Sequence, residues 1–126
     1  MFKLKGTGVS LDLTRFIPFP KYKINLIENY EEWIDSNKTR HRRLTDTKVE
    51  GEFTLNFHKP SDYFDFVSFY QANKDSVTGA IQAEVFCVNT NTTKTVYGFL
   101  DFEPQNELPL MMKGDGFTVT FEERGT

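Results

Sequence analysis

The chain has 126 residues, a formal charge of −3 and a single cysteine. That length makes one domain, able to bury roughly two-thirds of its unfolded surface without a disulfide. The acidic balance argues against general charge-driven binding to nucleic acid, and no apolar run reaches the length of a signal peptide or a membrane helix.

The expectation is therefore a protein made and kept in the cytoplasm, or one that leaves it without a standard export signal. Thirteen Phe, five Tyr and one Trp require either a heavy aromatic core or rings kept for contacts with neighbours.

Residues 1–20 are the least regular stretch. Phe2 and Leu4 alternate with Lys3 and Lys5, and Val9, Leu11 and Leu13 alternate with Ser10, Asp12 and Thr14. This predicts one or two short strands broken at Gly6 and Gly8. Phe16-Ile17-Pro18-Phe19-Pro20 cannot continue inside a sheet, because proline removes a ladder donor and restrains the residue before it. The segment is an edge strand with a turn, or an N-terminal arm that reaches a neighbouring subunit.

Tyr22, Ile24 and Leu26 alternate with Lys23 and Asn25, and Val49, Gly51, Phe53, Leu55 and Phe57 alternate with Glu50, Glu52, Thr54 and Asn56. These periods predict two paired strands, about 22–28 and 49–57, with their apolar sets facing inward. The segment between them is too long for a tight hairpin and too polar for core, and so is expected to be a long charged loop at about 31–48. Its sign changes partway, with Glu28, Glu31, Glu32 and Asp35 preceding Lys38, Arg40, His41, Arg42, Arg43 and Lys48. Such a segment can meet a copy of itself, acid block against base block. Otherwise it is a solvated loop, or a nucleic-acid patch, although no aromatic is interleaved among the basic residues. Trp33 lies in the acidic half, where a large ring anchors a loop more readily than it binds a ligand.

From Ser61 to Lys74 the period changes. Tyr63, Phe66, Val67, Phe69 and Tyr70 fall on one face of a helix predicted over about 61–74. Pro60 stands in its first turn or Ser61 at its N-cap, and Asp62 and Asp65 lie near its positive end. At about 100° per residue Phe64 falls off this stripe. It is either an exposed interface candidate or a ring tucked under the N-terminal segment. Beyond a turn at Thr78-Gly79, alternation predicts strands from Ile81 to about Val88 and from Thr95 to Glu103, with a turn at Asn89–Thr93 between them. A loop at Pro104–Pro109, a turn at Gly114-Asp115-Gly116 and a last strand from Phe117 complete the pattern.

No catalytic arrangement emerges. His41 and His58 have no cysteine, histidine or paired carboxylate at metal-ligand spacing. There is no nucleophile elbow and no Gly-rich phosphate loop. Glu50 and Glu52 share a strand face, which ordinarily means a wet face. Cys87 sits in an apolar run without nearby cations and is expected to be a buried thiol. No catalytic residue, metal ligand or cofactor is assigned, and the expectation is assembly or binding.

The order of elements, YKINLIENY to KVEGEFTLNF, then SDYFDFVSFYQ, then IQAEVFCVNTNTTKTVYGFLDFEP and GDGFTVTFEER, resembles the tail-tube fold of tailed bacteriophages over about residues 22–123. The resemblance lies in element order and texture, since no invariant motif is present. It implies a β-rich α+β domain, an antiparallel β-sandwich or small barrel-like pair of sheets flanked by one helix. It further implies a non-enzymatic structural subunit of a phage or prophage tail, forming a ring, hexameric in the family, that stacks in or caps the tube.

Carried onto this chain, the resemblance makes residues 31–48 the stacking or inter-subunit loop. Trp33, Lys38, Arg40, Arg42, Arg43 and Phe64 would be interface residues, and Glu50, Glu52 and Thr54 would line a lumen whose carboxylates repel passing DNA. The partners would be copies of itself and other tail proteins, with DNA only in transit and no membrane. The location would be the virion tail, assembled in the host cytoplasm. The chain is short for a major tube subunit and its first twenty residues match nothing in the family, which leaves terminator, adaptor and baseplate positions open. The alternative is a monomeric β-sandwich recognition module for a carbohydrate or protein, with Tyr30, Trp33 and Phe64 as contacts.

Overall fold

The computed structural model describes residues 1–102 and 116–124. Seven strands form one antiparallel sheet with a single α-helix beside it: β1 (Phe2–Gly6), β2 (Val9–Asp12), β3 (Tyr22–Ile34), β4 (Arg40–Leu55), α1 (Pro60–Asn73), β5 (Ile81–Cys87), β6 (Thr92–Phe102) and β7 (Phe117–Glu123). The order across the sheet is β2-β1-β5-β6-β7-β4-β3. The protein is thus β-rich α+β, as its alternating segments predict. The expected features at residues 103–115, a strand end, a loop and most of a turn, lie outside the described residues.

The period-two segments become strands because each buries one side and wets the other. In β5 every second residue from Ile81 to Cys87 is buried, and in β7 Phe117, Val119 and Phe121 are. The sheet coils until its two ends face each other. The Phe2 ring of β1 packs with its centroid 4.6 Å from that of Phe53 of β4, although three strands separate β1 from β4 in the sheet. Tyr22 of β3 directs its hydroxyl to the carbonyl oxygens of Phe86, 2.6 Å, and Met1, 3.0 Å. Val88 N–H donates to the Ile24 carbonyl at 2.9 Å. Burial, ahead of other causes, pushes the Tyr22 hydroxyl well above its ordinary pKa. The inner face is rich in aromatics among aliphatic side chains, and rings this close gain roughly 0.5–1.5 kcal/mol a pair beyond their burial.

α1 packs its apolar face on the rings of Phe57, Phe102 and Phe117. Lys59 is the N-cap and Pro60 opens the helix, where the missing proline N–H costs no hydrogen bond. Phe66 alone is fully buried, in contact with Phe57, Phe102 and Phe117. Tyr63, Val67, Phe69 and Tyr70 pack around it half-exposed. Phe64 is 52% exposed, as its angle on the helix predicts.

The N-terminal twenty residues belong to their own domain. β1 lies between β2 and β5, with Phe2 and Leu4 buried, so only β2 is an edge. The turn after it plugs the core with Leu13, Phe16 and Ile17, and the Phe16 carbonyl accepts from Asn56 N–H at 2.8 Å. A reaching arm is not what these residues form, because their apolar side chains are already used inside. Cys87 is buried, and burial pushes its thiol pKa up.

Phe66→Ala should cost about 3–5 kcal/mol of unfolding free energy, whereas Phe64→Ala should stay within about 0.5 kcal/mol. Denaturant titration of the two variants checks both.

Candidate functional site

The main departure from the sequence-based expectation is the connection between the two paired strands. Residues 31–48 form no loop. β3 and β4 remain paired through all thirteen rungs from Tyr22↔Phe53 to Ile34↔Arg40, while the neighbouring strand β7 reaches only from Leu55 to Glu50. The outer half is therefore a two-stranded ribbon with no sheet neighbour on either side among the described strands.

The ribbon turns tightly. Lys38 N–H donates to the Asp35 carbonyl at 3.0 Å, Asp35 N–H donates to the Thr39 carbonyl at 3.1 Å, and Lys38 sits at φ 64°. This is a three-residue hairpin connection ending in a left-handed residue. The Asp35 carboxylate holds it closed, one oxygen accepting from Asn37 and Thr39 N–H at 2.9 and 3.0 Å, the other lying 2.7 Å from His41 Nε2. His41 first, then these amides, lower the Asp35 pKa.

Both faces of the ribbon are built from complementary pairs. On one face Glu31 meets Arg43 and Trp33 stacks on His41, ring centroids 5.4 Å apart and 17° from parallel. On the other, Arg40 Nη2 reaches both Glu32 carboxylate oxygens at 3.1 and 3.2 Å. There too the Arg42 guanidinium lies 3.6 Å over the Tyr30 ring, whose hydroxyl donates to Glu28. Cross-strand pairs of opposite charge or stacked rings contribute roughly 0.2–1 kcal/mol each. That is enough to hold in register a ribbon that would be marginal as an isolated hairpin. Between Asn29 and Tyr30 the register shifts by one residue on the β4 side. Thr45 is the extra residue, and its hydroxyl donates to the Asn29 carbonyl at 3.0 Å.

Trp33, Lys38, Arg40, Arg42 and Arg43 therefore come together on the ribbon, whereas Phe64 is separate, its ring against Tyr63 on α1. Arg40 and Arg43 each have a carboxylate partner within their own chain, Glu32 and Glu31. The sign change marks the two strands of one hairpin. Sequence reasoning missed Ile34, 70% exposed, and Leu44, 49% exposed. Its available signal was the mirror pattern about Asn37, with Glu31 against Arg43 and Glu32 against Arg42 flanking an Asp-Ser-Asn turn. Tyr30 and Trp33 lie on opposite faces, so the three contacts of the recognition-module alternative do not converge.

Glu50, Glu52 and Thr54 alternate away from the core on β4, opposite Glu122, Thr120 and Thr118 of β7. Glu50 and Glu122 are like charges directly across, and Lys48 pairs with Glu122. Among the described residues no group of three or more His, Cys, Asp or Glu could hold a metal ion, and no helix is long and apolar enough to cross a membrane. No family model, curated protein or solved structure matches the chain.

A carboxylate with a lowered folded pKa contributes its full stabilisation above the unfolded value near 3.8 and loses it as pH falls through the folded value. Amide exchange at Asn37 and Thr39 should accordingly stay slow, relative to intrinsic rates, down to about pH 4 and lose protection below it. Asp35→Ala should remove that protection at every pH. Lys38→Gly relieves the left-handed residue and should stabilise the fold by roughly 0.5–1 kcal/mol, read by thermal unfolding.

Proposed function

We propose that this protein is a non-enzymatic structural subunit of the tail-tube kind, from a phage or prophage tail, whose copies join into a ring through the β3–β4 ribbon. The observation that carries this is the ribbon itself. It is a rigid, register-locked extension that buries almost nothing of its own chain and exposes Tyr30, Trp33, Ile34 and Leu44. An extension of that cost is retained where something beyond the domain uses it, and exposed rings and aliphatics beside arginine are the composition of protein interfaces.

A single coiled sheet with one helix against it supports the barrel-like form of the architecture that the resemblance implies, with one sheet where a pair was expected. The ribbon spans residues 31–48, the stretch that the resemblance assigns to the inter-subunit loop. In a ring, the wet face of β4 and β7 with Glu50, Glu52, Thr54 and Glu122 would turn to the lumen. There, the net negative charge of these carboxylates, of which Glu122 pairs with Lys48, would keep DNA from adhering. Other tail proteins would be the remaining partners.

Replacement of Tyr30–Thr45 by Asn-Gly, which closes the hairpin on the Asn29–Asp46 rung, separates fold from assembly. Light scattering across a concentration series, with negative-stain images, should give rings or stacked rings for the full chain and a folded monomer for the shortened one. Equal masses for the two chains would contradict the proposal.

A further inference from the structure

The two edges of the ribbon are unlike. Its β3 edge carries Glu28, Glu31 and Glu32, and its β4 edge carries Arg40, Arg42, Arg43 and Lys48. Both edges also offer main-chain groups. On the body half of β3, Ile24 and Leu26 turn theirs away from β4. Val88 N–H takes the Ile24 carbonyl, and the Asn89 side-chain amide both donates to and accepts from Leu26, at 2.8 and 2.9 Å. By strand alternation Glu28, Tyr30, Glu32 and Ile34 point the same way, and among the described residues none continues the row begun by Asn89. Across the hairpin Arg40, Arg42 and Leu44, opposite Ile34, Glu32 and Tyr30, point their main-chain groups off the other edge.

Resting on the reading that the ribbon joins copies of this chain, we infer that the joint is edge-to-edge β-pairing, the acidic β3 edge of one ribbon against the basic β4 edge of the next. Ribbons standing side by side and pointing the same way bring a descending β4 beside an ascending β3, which is antiparallel. In the register of the hairpin itself, the outward groups of Arg40, Arg42 and Leu44 meet those of Ile34, Glu32 and Tyr30. Arg42 then lies between two Glu32 carboxylates, its own and its neighbour's, Arg43 between two Glu31, and Leu44 between two Tyr30 rings. The intrachain ion pairs do not oppose this. They are exposed, hence individually weak, and each gains a second partner. The contact is head-to-tail and therefore closes into a ring or extends as an open row, while β3 against β3 is rejected by like charge.

Three variants test the rule. Glu31→Arg with Glu32→Arg makes both edges basic. Arg42→Glu with Arg43→Glu makes both acidic. The fourfold exchange reverses the edges and keeps opposite charges across the 31–43 and 32–42 rungs, although Arg40 loses its Glu32 partner and Tyr30 its Arg42. Each double variant alone should associate at least roughly tenfold more weakly than the unaltered chain. Their equimolar mixture should assemble with the two kinds alternating, read by native mass spectrometry, and the fourfold variant should assemble by itself. Circular dichroism with thermal melts establishes that each variant is folded. Rings that form equally well in both double variants, or a mixture and fourfold variant that stay apart, would overturn the edge rule and leave the ring proposal standing. An unaltered chain that remains monomeric at every concentration would overturn both.

Discussion

The pairing of β3 with β4 organises both the domain and its extension. In the body half it brings Tyr22, Ile24, Val49 and Phe53 onto the inner face, where they meet the side chains of β1, β5 and β7. Gly51 permits the close approach, since a Cβ there would lie 2.1 Å from the Lys23 carbonyl oxygen. The same ladder continues outward without a core beneath it. There the stabilising contacts change in kind, from buried rings to cross-strand charge pairs, a stacked Trp33–His41 and the Asp35 turn. Each is small, but together with the cooperative attachment to the sheet they suffice.

This division explains where the apolar residues go. The body buries most of its rings, around Phe66 and Phe57 at one end and Phe2, Phe53 and Phe121 at the other, with Phe64 and Tyr97 left half-exposed. Beyond Asn29 the single-residue shift at Thr45 carries the ribbon into a new register, and its rings and aliphatics stand in solvent. A long, free, partly apolar strand edge is ordinarily an aggregation hazard. Opposite charge on the two edges turns that hazard into selectivity, since it favours one orientation of one partner and disfavours the rest.

Much of the fold was legible because burial imposes a period. The alternation in residues 49–57, 81–87 and 117–121 and the helical spacing of Tyr63, Phe66, Val67 and Tyr70 each bury one face, and the structure places them so. The ribbon was not legible by that signal, because neither of its faces is buried and hydrophobic alternation vanishes. Its information lies in pairs of residues related by the turn, such as Glu31 with Arg43, and reading along one strand at a time hides them. The N-terminal segment was legible in part, as the two short strands and the sheet edge that the structure forms. Its prolines signal an edge, but Leu13, Phe16 and Ile17 serve as a plug between elements, a tertiary role without a local period.

The most direct measurement is amide hydrogen exchange along residues 28–44, first on the dilute chain and then on the concentrated one. The inward amides of Glu31, Trp33, His41 and Arg43 should be protected in both, since the ribbon exists before association. Those of Tyr30, Glu32, Ile34, Arg40, Arg42 and Leu44 should gain protection only on concentration, as the edges pair. Outward amides that exchange equally fast in both samples would contradict the account of the ribbon as the joint between copies.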